Sequence, residues 1–116
     1  MTLKEFYAVI GGNYDATLNR IPKESMVARF VKKYAADKTF EQLSDAVGKQ
    51  DWETAFRAAH TLKGVSQNLG FDRFYQAAFV LTEAMRGGKP LADIALYDAV
   101  AREQQIVLDA IASLDA

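Results

Sequence analysis

Residues 51–70 read DWETAFRAAHTLKGVSQNLG, and their spacing decides the fold. Trp52, Ala55, Ala59, Leu62, Ser66 and Leu69 step by three and four, with Ser66 the single polar member. That period places them on one side of an α-helix over 51–69 and marks the side as buried. Gly70 then stands where a helix C-cap is needed, and Asp72 is placed to cap a second helix two residues later. So short a connection makes the two helices antiparallel neighbours.

The same period continues outward. Phe71, Phe74, Ala78, Leu81 and Met85 form the stripe of the second helix, and Gly87, Gly88, Lys89 and Pro90 a turn after it. Tyr97, Val100, Gln104, Val107, Ile111 and Leu114 mark a last helix from about residue 91 nearly to the end. Upstream, Met26, Val27, Phe30, Val31 and Tyr34 mark a helix starting near Lys23, after Pro22, and Phe40, Leu43 and Val47 a short one ending around Gly48. A first helix runs from Thr2 to Ile10, closed by Gly11 and Gly12, with a short helical turn over 13–20. Alternation of the strand type is missing, as are Asn-Gly and Asp-Gly hairpin turns between β-branched runs. The expected fold is all-α: an antiparallel four-helix bundle with additional short N-terminal helices packed across it. One domain spans 1–116, with the N-terminal helices in about 1–22 and the bundle in about 23–115.

Composition narrows the chemistry. Fourteen Lys and Arg against 15 Asp and Glu give a net charge of -1, which argues against a nucleic-acid partner and against a polybasic membrane anchor. Cysteine is absent, which removes disulfides, thiolate metal sites and thiol nucleophiles together. No signal-like segment opens the chain, and no stretch reaches the ~20 apolar residues of a membrane span. A cytoplasmic protein is expected, and the starting Met with its N-terminal helices favours a stand-alone one. The single histidine, His60, excludes any mechanism that needs two imidazoles. A bundle-core dimetal site is excluded as well, since it asks for two Glu-x-x-His pairs and Arg57 stands where the Glu would be.

At ~100° per residue with His60 at zero, Val65, Ala58, Leu69, Leu62 and Ala55 fall between about 140° and 220°. His60 therefore points away from the core its own helix buries. Lys63, Gly64 and Gln67 share its side at i+3, i+4 and i+7. Gly64 costs ~1 kcal/mol relative to Ala in mid-helix, yet the periodic pattern continues past it, so empty space beside His60 is the property it supplies. Lys63 brings three donors and a positive charge. Phe56, at i-4, suits either a docking surface or packing under an N-terminal helix, while Trp52 belongs to the core stripe. An outward imidazole with a cation and a cleared approach, but no second base, fits a nucleophile that accepts a phosphoryl group and hands it on. The competing reading is a helical adaptor that binds through the same face without chemistry.

The run His60-Thr61-Leu62-Lys63-Gly64, followed by Gly70, resembles the His-x-Leu-Lys-Gly…Gly signature of histidine phosphotransfer (HPt) domains. Gly48 to Trp52 and Ala58-Ala59 also fit, so that the detailed match covers about residues 48–86. The resemblance implies a four-helix bundle that relays phosphate in two-component signalling. It implies that His60 is phosphorylated through Nε2, that Lys63 contacts the phosphoryl oxygens, that Gly64 allows close approach, and that Gln67 assists. Phe56 and Phe71 would form a docking patch. The partners implied are response-regulator receiver domains, with a hybrid sensor histidine kinase as a candidate; they would bring the Mg²⁺, leaving no cofactor in this chain, itself expected to be a monomer. No Gly-x-Gly-x-x-Gly occurs and Gly87-Gly88-Lys89 is followed by Pro90, so an ATP-dependent autokinase is not expected.

Overall fold

Each apolar stripe winds into a helix in the computed structural model, which describes residues 1–115. Among these described residues seven α-helices follow in order: α1 (Leu3–Ile10), α2 (Tyr14–Arg20), α3 (Glu24–Tyr34), α4 (Thr39–Gly48), α5 (Trp52–Leu69), α6 (Asp72–Ala84) and α7 (Ala95–Ala112). A single 3₁₀ turn, Arg86–Gly88, lies between α6 and α7, and no strand occurs among the described residues. Ala116, the last residue of the expected domain, lies outside the described residues.

Two boundaries differ from the expectation. Asp72 is the first residue of α6 rather than its cap; Phe71 occupies the cap position and no side chain closes the end. The Asp72 carboxylate instead sits in the first turn, where the helix dipole favours negative charge. The last helix begins at Ala95, not near residue 91, because Asp93 Oδ1 accepts the Ala95 N–H over 3.0 Å and starts the first turn there.

α4, α5, α6 and α7 pack as successive neighbours. The ring closes through α3 and α4 onto α7: the Tyr34 hydroxyl donates to Gln104 Oε1 over 2.5 Å, and Phe40 stacks on Tyr97 with centroids 6.0 Å apart. Leu43, Leu62, Phe74, Leu81, Val100 and Val107 fill the interior, each with no more than 1% of its surface exposed. Burial of that kind, on the order of 2 kcal/mol per large side chain, is what holds the bundle together.

α1 and α2 lie across one end and fix the corner where α5 turns into α6. Phe6 packs edge-on against Phe71, and the Tyr7 hydroxyl donates to the Leu69 carbonyl over 2.6 Å. The Asn13 N–H donates to the Gly70 carbonyl over 2.9 Å. Gly70 itself has φ +73°, and a Cβ there would lie 1.9 Å from Thr17 Oγ1. Only glycine meets both demands. Across the same end Arg73 joins three helices, donating to Glu103 Oε1 of α7 over 2.7 Å and to the Val9 carbonyl of α1 over 3.3 Å. Every buried side-chain polar atom among the described residues has a partner.

Candidate phosphoacceptor face

α5 carries the site, and its own sequence fixes how it is presented. Asp51 caps the N-terminus, its side chain accepting the Thr54 N–H over 3.3 Å. At the other end Gly70 adopts the left-handed conformation and the Phe71 N–H donates to the Ser66 carbonyl over 2.9 Å. Arg20 of α2 donates to the carbonyls of Gln67 and Asn68, over 3.3 and 3.2 Å, and so satisfies acceptors that a helix end leaves open. Between these fixed ends Ala55, Ala58, Ala59, Leu62 and Ser66 are buried. The hydroxyl of Ser66 is turned back onto the Leu62 carbonyl, 2.7 Å away. The face opposite them is open.

On that face His60 is exposed. Its imidazole lies 6.1 Å, centroid to centroid, from the half-buried ring of Phe56. A shallow recess beside it is lined by Phe56, Arg57, His60, Thr61 and Arg86. Lys63 makes no ion pair among the described residues; its Nζ stands 5.5 Å from the centre of the Phe79 ring on α6. A Cβ added to Gly64 would meet nothing within 4 Å, so no packing inside the chain requires glycine there.

Gln67 is also exposed, but it opens onto a different recess, shared with Asn13, Arg20, Tyr75 and Gln76. Phe71 needs a correction. Its ring is wholly buried among Phe6, Tyr7 and Tyr34, with centroids 5.9, 6.3 and 5.7 Å away, because α1 covers it. It is a core residue and offers no surface to a partner.

Three residues of the α6 side belong to the face and were not anticipated from the sequence. Phe79 is 39% exposed, an aromatic that falls outside the α6 stripe, which was the one signal available for it. Arg86 lies over the Phe56 ring, 5.6 Å from its centre, and donates to Glu83 through Nε over 3.0 Å and Nη2 over 2.5 Å. Those hydrogen bonds hold the Glu83 carboxyl below its usual range, with the charges of Arg86, Lys63 and His60 acting in the same direction. No local sequence pattern joins these residues to His60, since the packing of α6 on α5 is what brings them there.

No cluster of three or more metal-ligating side chains exists among the described residues, and no helix is long and apolar enough to cross a membrane. Fold and face together describe a helical bundle that displays one exposed imidazole one turn from a lysine with no ion pair among the described residues. The Hpt domain family model matches residues 27–115, and the chain belongs to that family. Its role is therefore histidine phosphotransfer in a phosphorelay. No curated protein and no solved structure matched the chain.

Proposed function

We propose that His60 is the phosphoacceptor and that its donors and acceptors are the aspartates of receiver domains. The observation that carries this reading is the exposed imidazole on α5 with Lys63 one turn on and open space at Gly64. The Nε2 lone pair of neutral His60 attacks the phosphorus of an aspartyl phosphate. The N–P bond forms as the P–O bond to the aspartate breaks, and the bonding pair returns to the aspartate as its carboxylate. The ring gains a positive charge as the N–P bond forms, and the Nδ1 proton can then leave to solvent, so no general base on this chain is required. Transfer onward to a second receiver is the same step reversed.

Such a step asks for alignment and charge neutralisation rather than acid–base chemistry. Lys63 swings from the Phe79 ring to the phosphoryl oxygens, and Gly64 leaves room for the receiver's acidic pocket, which holds the Mg²⁺. Gln67 contributes at the edge of the contact, on the side of Tyr75. Phe56, beside the imidazole, and Phe79, beside Lys63, supply apolar surface. A cytoplasmic monomer suits this transient docking.

The test is incubation with several phosphorylated receivers, reading acid-labile, alkali-stable phosphate on the chain. Wild type is expected to label at His60, while His60→Gln labels not at all and keeps its helicity and melting temperature. A folded wild type that never labels overturns the reading in favour of a non-catalytic adaptor on the same face.

A further inference from the structure

Arg86 lines the recess beside His60 and Glu83 pairs with it there, and neither has a part in the transfer step itself. Arg86 is held three ways: by two hydrogen bonds to Glu83, by the Phe56 ring beneath it, and by the 3₁₀ turn in which it stands. Both side chains are accessible, 57% for Arg86 and 40% for Glu83, so their pairing exchanges readily with other charges. Arg57, the other guanidinium of the recess, is already paired with Glu53 along its own helix, over 3.3 Å. Arg86 is thus a cation parked on a carboxylate at the wall of the site. The backbone around it is permissive: Gly87 and Gly88 follow with φ of +75° and +77°, and nothing lies within 4 Å of where a Gly87 Cβ would be.

We propose that Glu83 is a positioning residue that holds Arg86 off the site until His60 is phosphorylated, whereupon Arg86 exchanges the carboxylate for the phosphoryl oxygens. A phosphohistidine brings about two negative charges into the recess, against the single charge of Glu83. A guanidinium binds either partner through the same fork of donors. Competition from Glu83 therefore weakens the phosphorylated form and keeps the phosphoryl group transferable. The proposal rests on His60 being the phosphoacceptor.

The experiment measures the equilibrium share of phosphate between a phosphorylated receiver and the full chain, as wild type, Glu83→Gln, Arg86→Gln and the double variant. Glu83→Gln is expected to shift the equilibrium about two- to fivefold toward the chain, the scale of an exposed ion pair. Arg86→Gln shifts it the other way, and in the double variant the Glu83 substitution has no further effect. In parallel, the Arg86 Nε–H resonance is followed while phosphoramidate phosphorylates His60 chemically. It moves in wild type as the guanidinium changes partner, which a merely structural ion pair does not do. An unmoved equilibrium in Glu83→Gln, an effect of Glu83→Gln that persists without Arg86, or a stationary Arg86 resonance each overturns the proposal while leaving His60 as acceptor. A wild type that accepts no phosphate from either source overturns the parent reading and this one with it.

Discussion

The Tyr7 hydroxyl donates to the carbonyl of Leu69 over 2.6 Å, which ties α1 to the last turn of the helix that carries His60. The N-terminal segment is thereby part of the site's support. Burial raises the Tyr7 pKa from 10.0 to about 12. The sign follows from linkage. The folded state resists ionisation of this phenol, so its contribution is complete below pH 10 and is lost as pH rises from 10 toward 12.

Tyr7→Phe is expected to cost about 1 kcal/mol at neutral pH, since it leaves the Leu69 carbonyl without its partner. It is also expected to flatten the alkaline fall in stability between pH 10 and 12. Tyr34, likewise raised by burial, keeps part of that fall in place. Urea midpoints at pH 8, 10 and 11.5, values of about that spacing being enough to define the slope, give the comparison. A variant with the wild-type alkaline slope contradicts the assignment.

Gly70→Ala is expected to be severe. The added Cβ meets Thr17 Oγ1 at 1.9 Å and the backbone stays at φ +73°. Left-handed strain and overpacking together suggest a loss of about 2–4 kcal/mol. Thr17→Ser leaves the blocking hydroxyl in place and should not rescue it, whereas Thr17→Ala removes that contact and should recover part of the loss. Chemical denaturation of the four proteins decides, and equal stability of Gly70→Ala and wild type sinks the close-approach account.

How far the sequence reaches is clearest on α5. The stripe from Ala55 to Ser66 is a property of one helix, so a helical wheel suffices to put Leu62 inside and His60 outside. Phe79, Glu83 and Arg86 are different, because their place against the Phe56–Lys63 face of α5 depends on how α6 and the turn after it lie against that helix, and no spacing within either helix encodes that. Phe71 divides the other way: the α6 stripe places it with Phe74 and Leu81 on the buried side, as the structure has it, and only the family resemblance assigned it to a docking patch. The rings of Phe6 and Tyr7 on α1 cover it. The N-terminus of α7 was misplaced by a local effect, the bond from Ala95 N–H to the Asp93 side chain, which hydrophobic periodicity does not register.

Phe71 and Phe79, two of the aromatics that follow the histidine, provide a paired test of core against surface. Phe71→Ala empties a wholly buried ring position and is expected to cost about 3–5 kcal/mol. Phe79→Ala removes a ring that is 39% exposed and rests under Lys63, so stability should fall far less while transfer to and from a receiver slows. Melting curves and transfer rates on the two variants separate the roles. Comparable destabilisation by both, with no change in transfer for Phe79→Ala, removes Phe79 from the docking face.

Gly64→Ala should improve the fold and damage the function. Position 64 lies inside α5 with no positive φ, and its Cβ would enter open space, so the substitution gains helix propensity without a clash. The gain expected is up to ~1 kcal/mol, the usual difference between glycine and alanine in a helix interior. If that space is what a receiver needs to bring its aspartate to Nε2 of His60, the same methyl group slows transfer, and Gly64→Glu blocks it. Phosphorylation of His60 by a small donor such as phosphoramidate should be spared in Gly64→Ala, because nothing large has to approach. The three measurements together are decisive for this glycine. Lower stability would mean an internal contact absent from the fold as described, and unchanged receiver transfer in Gly64→Glu would mean that the partner does not come in over this turn of α5.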